Sequence, residues 1–189
     1  MVAVFDVYFD FGGTDGTPGT EQDTDALGPP SIRFKQADDA TINSSDPVPI
    51  PAAGTNYSYW KHVYLYCATA PDTQVNNVKL YTDGGGFGTG ITTYVGDEMP
   101  TKNSGSDAGY EVADSAVTMV SNHTGISAQT DLFSYTSGSS KTISISETSS
   151  IIDAIGETTN YVVLQVAVVS TASVGDKTDE TITYVYDEI

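Results

Sequence analysis

The chain has 189 residues, 25 of them acidic against seven basic, for a formal net charge of −18. A surface of that sign repels phosphate and anionic lipid, which argues against nucleic acid and membranes as partners. No apolar run approaches the roughly 18 to 20 residues needed to span a bilayer as a helix.

One domain over residues 1–189 is expected, because a chain of this length buries roughly 70% of its unfolded surface around a single core. The N-terminal MVAVFDVYFDFGG alternates apolar residues with Asp6 and Asp10 and has no basic region, unlike a secretory signal. Synthesis in a cytoplasm follows as an expectation. The segment GGTDGTPGTEQDTDALGPP, Gly12 to Pro30, has almost no residues for a core and reads as a long loop or arm. Residues 1–45 are thus expected to form an extended arm with edge strands. DPVPIPAAG, Asp46 to Gly54, suits a rigid edge segment leading into the first long strand.

In KHVYLYCATA, Val63, Leu65 and Cys67 share one face while His62, Tyr64 and Tyr66 share the other, which predicts a strand with one face in a core. The lone Cys67 allows no internal disulfide and reads as a buried strand residue. NVKLYT and KTISIS alternate in the same way. Between the first of these and ITTYVGDE lies YTDGGGFGTG, which has no lysine for a phosphate loop and no helix after it. It reads as a hairpin turn, with Phe87 as the one apolar group able to reach a neighbour.

TKNSGSDAGYEVADSA, Thr101 to Ala116, reads as a second long surface loop, and His123 in SNHTG as part of a turn. His62 and His123 are both expected to be polar surface residues. SETSSIIDAIGE offers the best case for one short helix. YVVLQVAVV, Tyr161 to Val169, is β-branched and apolar enough for a central strand, and pairing with TITYVYDEI across TASVGDKTDE predicts a closing hairpin. The sum is an all-β antiparallel sandwich of jelly-roll type.

Motifs for chemistry are few. There is no nucleophile elbow, zinc helix or cysteine pair, so neither an enzymatic activity nor a cofactor is predicted. DTDALG starts like a calcium loop but places Leu27 and Phe34 where oxygen ligands belong, which leaves open only a nonstandard site at Asp15, Glu21, Asp23 or Asp25. In TNYSYWKHVYLY, the rings of Tyr57, Tyr59 and Trp60 suit stacking on a glycan or contacts between subunits, and equally suit covering the outer face of a sheet.

Three runs together, DPVPIPAAGTNYSYWKHVYLYC, APDTQVNNVKLYTDGGGFGTGITTYVG and NYVVLQVAVVSTASVGDKTDETITYVYDEI, resemble a diffuse group of β-sandwich virion proteins from tailed bacteriophages and related archaeal viruses. The likeness covers most of Asp46 to Ile189 and rests on scaffold features. It implies a structural subunit of the virion, made in the host cytoplasm, that decorates or stabilises a capsid through its loops and arm. The implied partners are other virion proteins and further copies of the chain. A carbohydrate-binding attachment module and an extracellular filament subunit are the alternatives.

Overall fold

The computed structural model describes residues 2–29 and 31–189, so Met1 and Pro30, both within the expected arm of residues 1–45, lie outside the described residues. Among the described residues, ten strands form two antiparallel sheets packed face to face, an all-β sandwich. The larger sheet runs β2 (Thr17–Asp23), β1 (Val4–Thr14), β4 (Lys61–Thr69), β9 (Val162–Val169), β6 (Ile91–Gly96), β7 (Gln129–Asp131), with β3 (Thr55–Tyr57) also paired to β9. The smaller sheet runs β10 (Thr183–Glu188), β5 (Val75–Tyr81), β8 (Lys141–Thr142).

The period of two in the sequence decides which side chains meet between the sheets. Phe9 from β1, Val63, Leu65 and Cys67 from β4, Val78 and Leu80 from β5, and Val162 and Leu164 from β9 form the inter-sheet core. Phe5, Val7, Phe11, Tyr184 and Tyr186 pack around it. Cys67 is buried and free, as expected.

Several connections differ from the sequence reading. Gly12 to Asp23 is not an open arm: β1 and β2 form a hairpin through Asp15 and Gly16, and β1 then pairs with β4. Backbone pairing holds β2 in place without the apolar side chains that a sequence pattern would register. Neither expected hairpin forms, because β5 and β6 belong to different sheets, as do β9 and β10. Alternation reports which residues share a face but not which sheet a strand joins.

YTDGGGFGTG is therefore a crossover between sheets. Gly90 has a φ of +77°, and a Cβ there would stand 2.4 Å from the Ala172 backbone nitrogen. The Val169 N–H donates to the Gly90 carbonyl at 2.9 Å, so the two crossovers are clamped together through backbone contact. The short α1 (Met119–Asn122) also falls outside SETSSIIDAIGE, where only a 3-10 turn at Thr148–Ser150 occurs.

The outer face of the large sheet is covered by the chain between Glu98 and Ala128. Tyr110, Ala113, Met119 and Ile126 pack there on Trp60, Tyr64, Tyr161 and Val163 and make a second core. Val162 to Val168 are consequently buried on both faces of β9, which explains the unbroken apolar run. Its one polar member, Gln165, anchors the cover: its Oε1 accepts from the Met119 N–H at 2.8 Å, and its Nε2 donates to the carbonyls of Ser58 and Val117, each at 3.0 Å.

Candidate functional site

Where the cover meets the β1–β2 hairpin, an open polar groove of about 1020 Å³ is lined by Glu21, Tyr66, Asn103, Asp107, Tyr110 and Glu111 among others. At and beneath its floor lie strand residues with outward parity. Asp10 comes from β1, Tyr64 from β4 and Glu21 from β2, while Tyr161 directly precedes β9. The cover contributes Lys102 and Asp107.

Lys102 stands at the centre. Its Nζ donates to Asp107 Oδ1 at 2.5 Å and Glu21 Oε1 at 2.6 Å, and lies 3.8 Å from Asp10 Oδ2. The ammonium also sits 4.5 Å from the centre of the Tyr64 ring and 5.8 Å from that of Tyr161. Burial opposes its charge, but the hydrogen bonds it donates to Asp107 and Glu21 outweigh burial and hold the pKa above the ordinary lysine range.

Asp10 is 1% exposed. Tyr161 donates to its Oδ2 at 2.5 Å and Tyr64 to its Oδ1 at 3.3 Å. Burial pushes this carboxyl up to about 6, against the hydrogen bond from Tyr161 and the charge of Lys102, which lower it. Burial first, and the Asp10 charge second, push both tyrosine hydroxyls well above their ordinary value. Asp10 can thus hold a proton near neutrality, but its two oxygens are engaged by tyrosines and screened from the groove.

Carboxylate oxygens of Asp10, Glu21 and Asp107 lie within 4.8 Å of one another, a spacing that suits a cation. Lys102 supplies the positive charge among them. The four acidic residues weighed for calcium do not converge: Asp15 accepts from the Val112 N–H at 3.0 Å, Asp23 caps the Asp25 N–H at 2.8 Å, and Glu21 turns to Lys102.

Next to this cluster lies a second polar pair. His62 and His123 are 0% and 2% exposed, which corrects the expectation that both are surface residues. Outward parity put His62 on the right face of the sheet, but the cover buries that face. Their Nε2 atoms are 3.0 Å apart. His123 Nδ1 accepts from the Gly125 N–H at 3.1 Å, which places its proton on Nε2 as donor to His62. His62 Nε2 also faces the Glu111 N–H at 3.4 Å, leaving the His62 proton on Nδ1, buried and without a hydrogen-bond partner among the described residues. Burial is the main cause that lowers both imidazole pKa values, strongly for His62.

The residues singled out for interaction do not gather in one place. Trp60 is 1% exposed, with its Nε1 toward the Glu111 carbonyl at 3.4 Å, so no sugar can stack on its face. Tyr59 is half-buried beside it, and Tyr57 is half-buried in β3. Phe87 packs edge-on against Phe133, with ring centres 5.8 Å apart, beside a shallow hollow of about 280 Å³. Sequence reasoning missed Lys102, Asp107 and Tyr161 as a unit, since their separations along the chain carry no motif. The charge of Asp10 within an apolar alternation was the one local signal of it.

The class defined by these features is a β-sandwich whose larger sheet carries a third, irregular layer. No protein-family model matches the chain, and no curated protein or solved structure does so either.

Proposed function

We propose that the protein is a non-enzymatic structural subunit of a virus particle, which decorates or stabilises a capsid by contacts with other virion proteins and with further copies of itself. The observation that carries this reading is the closed state of the reactive groups: Lys102 is engaged by three carboxylates and the two histidines by each other. Such a network fixes the cover and the N-terminal hairpin to the sandwich and makes a rigid body for assembly.

Contact surfaces remain on the outside. β10 is an edge strand, and Val185 on it is 39% exposed, with Ile189 64% exposed just beyond. The start of β1 is tied to this edge by the Ala3 N–H, which donates to Glu188 Oε1 at 2.9 Å, and brings the exposed Val2 and Val4. An open strand edge with apolar neighbours is suited to pairing with another subunit. The resemblance of Asp46 to Ile189 to virion sandwich proteins points the same way.

Mass spectrometry of particles purified from producing cells tests the reading. The chain is expected at a fixed ratio to the major capsid protein. Its absence from particles, with the purified protein an inert monomer, overturns the proposal.

The groove supports a second reading, a glycan-binding attachment module. Hydroxyls, amides and carboxylates around a half-buried Tyr66 suit a polyhydroxylated ligand. Binding on a glycan array that is lost in Tyr66→Ala would favour it, and binding to no glycan would remove it.

A further inference from the structure

On the opposite face of β4 from His62, Lys61 points toward the inter-sheet side with its side chain only 1% exposed. It packs over the Phe9 ring, 5.5 Å from the centroid, and its Nζ donates to the Asp39 carbonyl at 3.0 Å. Asp38, in the irregular segment before β3, brings its Oδ1 to 3.8 Å from Lys61 Nζ with a side chain only 14% exposed. That oxygen is buried and has no hydrogen-bond partner among the described residues, whereas Oδ2 accepts from the Gly12 N–H at 2.8 Å.

We propose that Lys61 and Asp38 condense to an intramolecular isopeptide bond between Lys61 Nζ and Asp38 Cγ. The geometry supplies the three parts such a condensation needs. The nucleophile is confined beside the carboxyl group it would attack, with Nζ 3.8 Å from Oδ1, where a reactive approach brings Nζ to roughly 3 to 3.5 Å from Cγ. Gly12 N–H already donates to the oxygen on which negative charge develops, as an oxyanion donor does. The unpartnered oxygen is then the leaving hydroxyl, facing the amine.

Protonation states agree with this arrangement. Burial lowers the Lys61 pKa, with Lys35 nearby adding to the effect against Asp38 and Asp39. Burial raises that of Asp38 against the Gly12 hydrogen bond and the Lys61 charge. Both shifts run toward the neutral amine and the neutral carboxylic acid, the pair that condenses. The amine attacks Cγ and the C–N bond forms. The C–OH bond breaks, and the hydroxyl leaves as water with a proton from the attacking nitrogen. No oxidant, reductant or activating group is required.

The bond would tie the irregular segment between β2 and β3 to a central strand, independently of whether the protein belongs to a particle. Intact mass of the purified full chain tests it, and the expected mass is lower than that of the sequence by one water. After denaturation, trypsin is expected to skip Lys61 and release one peptide from Gln36 to Lys79 that contains the internal ring. Lys61→Met and Asp38→Ala are each expected to restore the full mass. Full mass in the folded wild-type chain overturns the proposal, and that measurement depends on no variant folding. Ready cleavage after Lys61 overturns it too, even if water is missing elsewhere, as at Asp83–Gly84. So does loss of water that persists in Lys61→Met.

Discussion

The Nε2 atoms of His62 on β4 and His123 on the cover meet at 3.0 Å, so two imidazoles form part of the joint that holds the outer layer on the sandwich. Around them stand Trp60, Tyr110 and Tyr161, with ring centres 4.7 to 5.8 Å from one or other imidazole. Protonating both rings would place two positive charges side by side in a mostly apolar pocket.

Both histidine pKa values are lowered in the folded protein, so their contribution is fully present above the unfolded value near 6.5 and is lost as pH falls below it. The cover should loosen on acidification. Hydrogen-exchange protection of residues 98–128, corrected for the slower intrinsic exchange at low pH, is expected to fall between pH 7 and pH 5 before that of β4 and β9. Uniform exchange across these segments would contradict a weakened joint.

Asp10 contributes with the opposite sign. Its folded pKa of about 6 lies above the ordinary carboxyl value of 3.8, so its favourable term is present below that value and is lost as pH rises through about 6. The shift corresponds to about 3 kcal/mol as an order of magnitude. Denaturation of Asp10→Asn against wild type is expected to show a stability difference that grows in favour of the variant between roughly pH 4 and 6, then levels off. A difference that stays flat with pH would refute the assignment.

Lys102→Met removes the cation from three carboxylates while keeping most of the side-chain volume. Breaking a buried pair on one side costs roughly 3 to 5 kcal/mol, and the half-exposed Glu21 places this case toward the lower figure. Carbon-detected titration of the Asp10 carboxyl should show its pKa rising further in the variant, since Lys102 lowers it in the wild type.

The glycines of YTDGGGFGTG should differ sharply in tolerance. Gly90→Ala combines left-handed backbone with a Cβ placed against the Ala172 backbone, and is expected to cost roughly 2 to 5 kcal/mol. Gly88, at φ +94° with open space around its Cα, should lose only about 1 to 2 kcal/mol in Gly88→Ala. Equal chemical-denaturation midpoints for the two variants would rule out the clamp between the crossovers.

Trp60→Ala opens a cavity in the second core and is expected to cost about 3 to 5 kcal/mol. Phe87→Ser loses one edge contact with Phe133 and a half-buried ring, about 1 to 2 kcal/mol. Thermal melts of the two variants check the contrast. Unchanged incorporation of Phe87→Ser into particles would leave that ring a local packing residue.

What the sequence by itself determined is the faces. Alternation in KHVYLYCATA assigned Val63, Leu65 and Cys67 to one side, and the same alternation in NVKLYT fits the burial of Val78 and Leu80, because a strand turns successive side chains to opposite sides wherever it lies. The sandwich class followed from that pattern. Which sheet each strand joins was decided by the tertiary structure alone, since hydrogen bonding between strands is the same backbone chemistry for any partner. For this reason the β5–β6 and β9–β10 connections became crossovers, and a segment almost without apolar residues became β2. The site was hidden for a related reason. Asp10, Lys102 and Tyr161 meet only once the 98–128 segment lies over the large sheet, and a polar face that reads as solvent-exposed in one dimension becomes an interior when another part of the chain covers it.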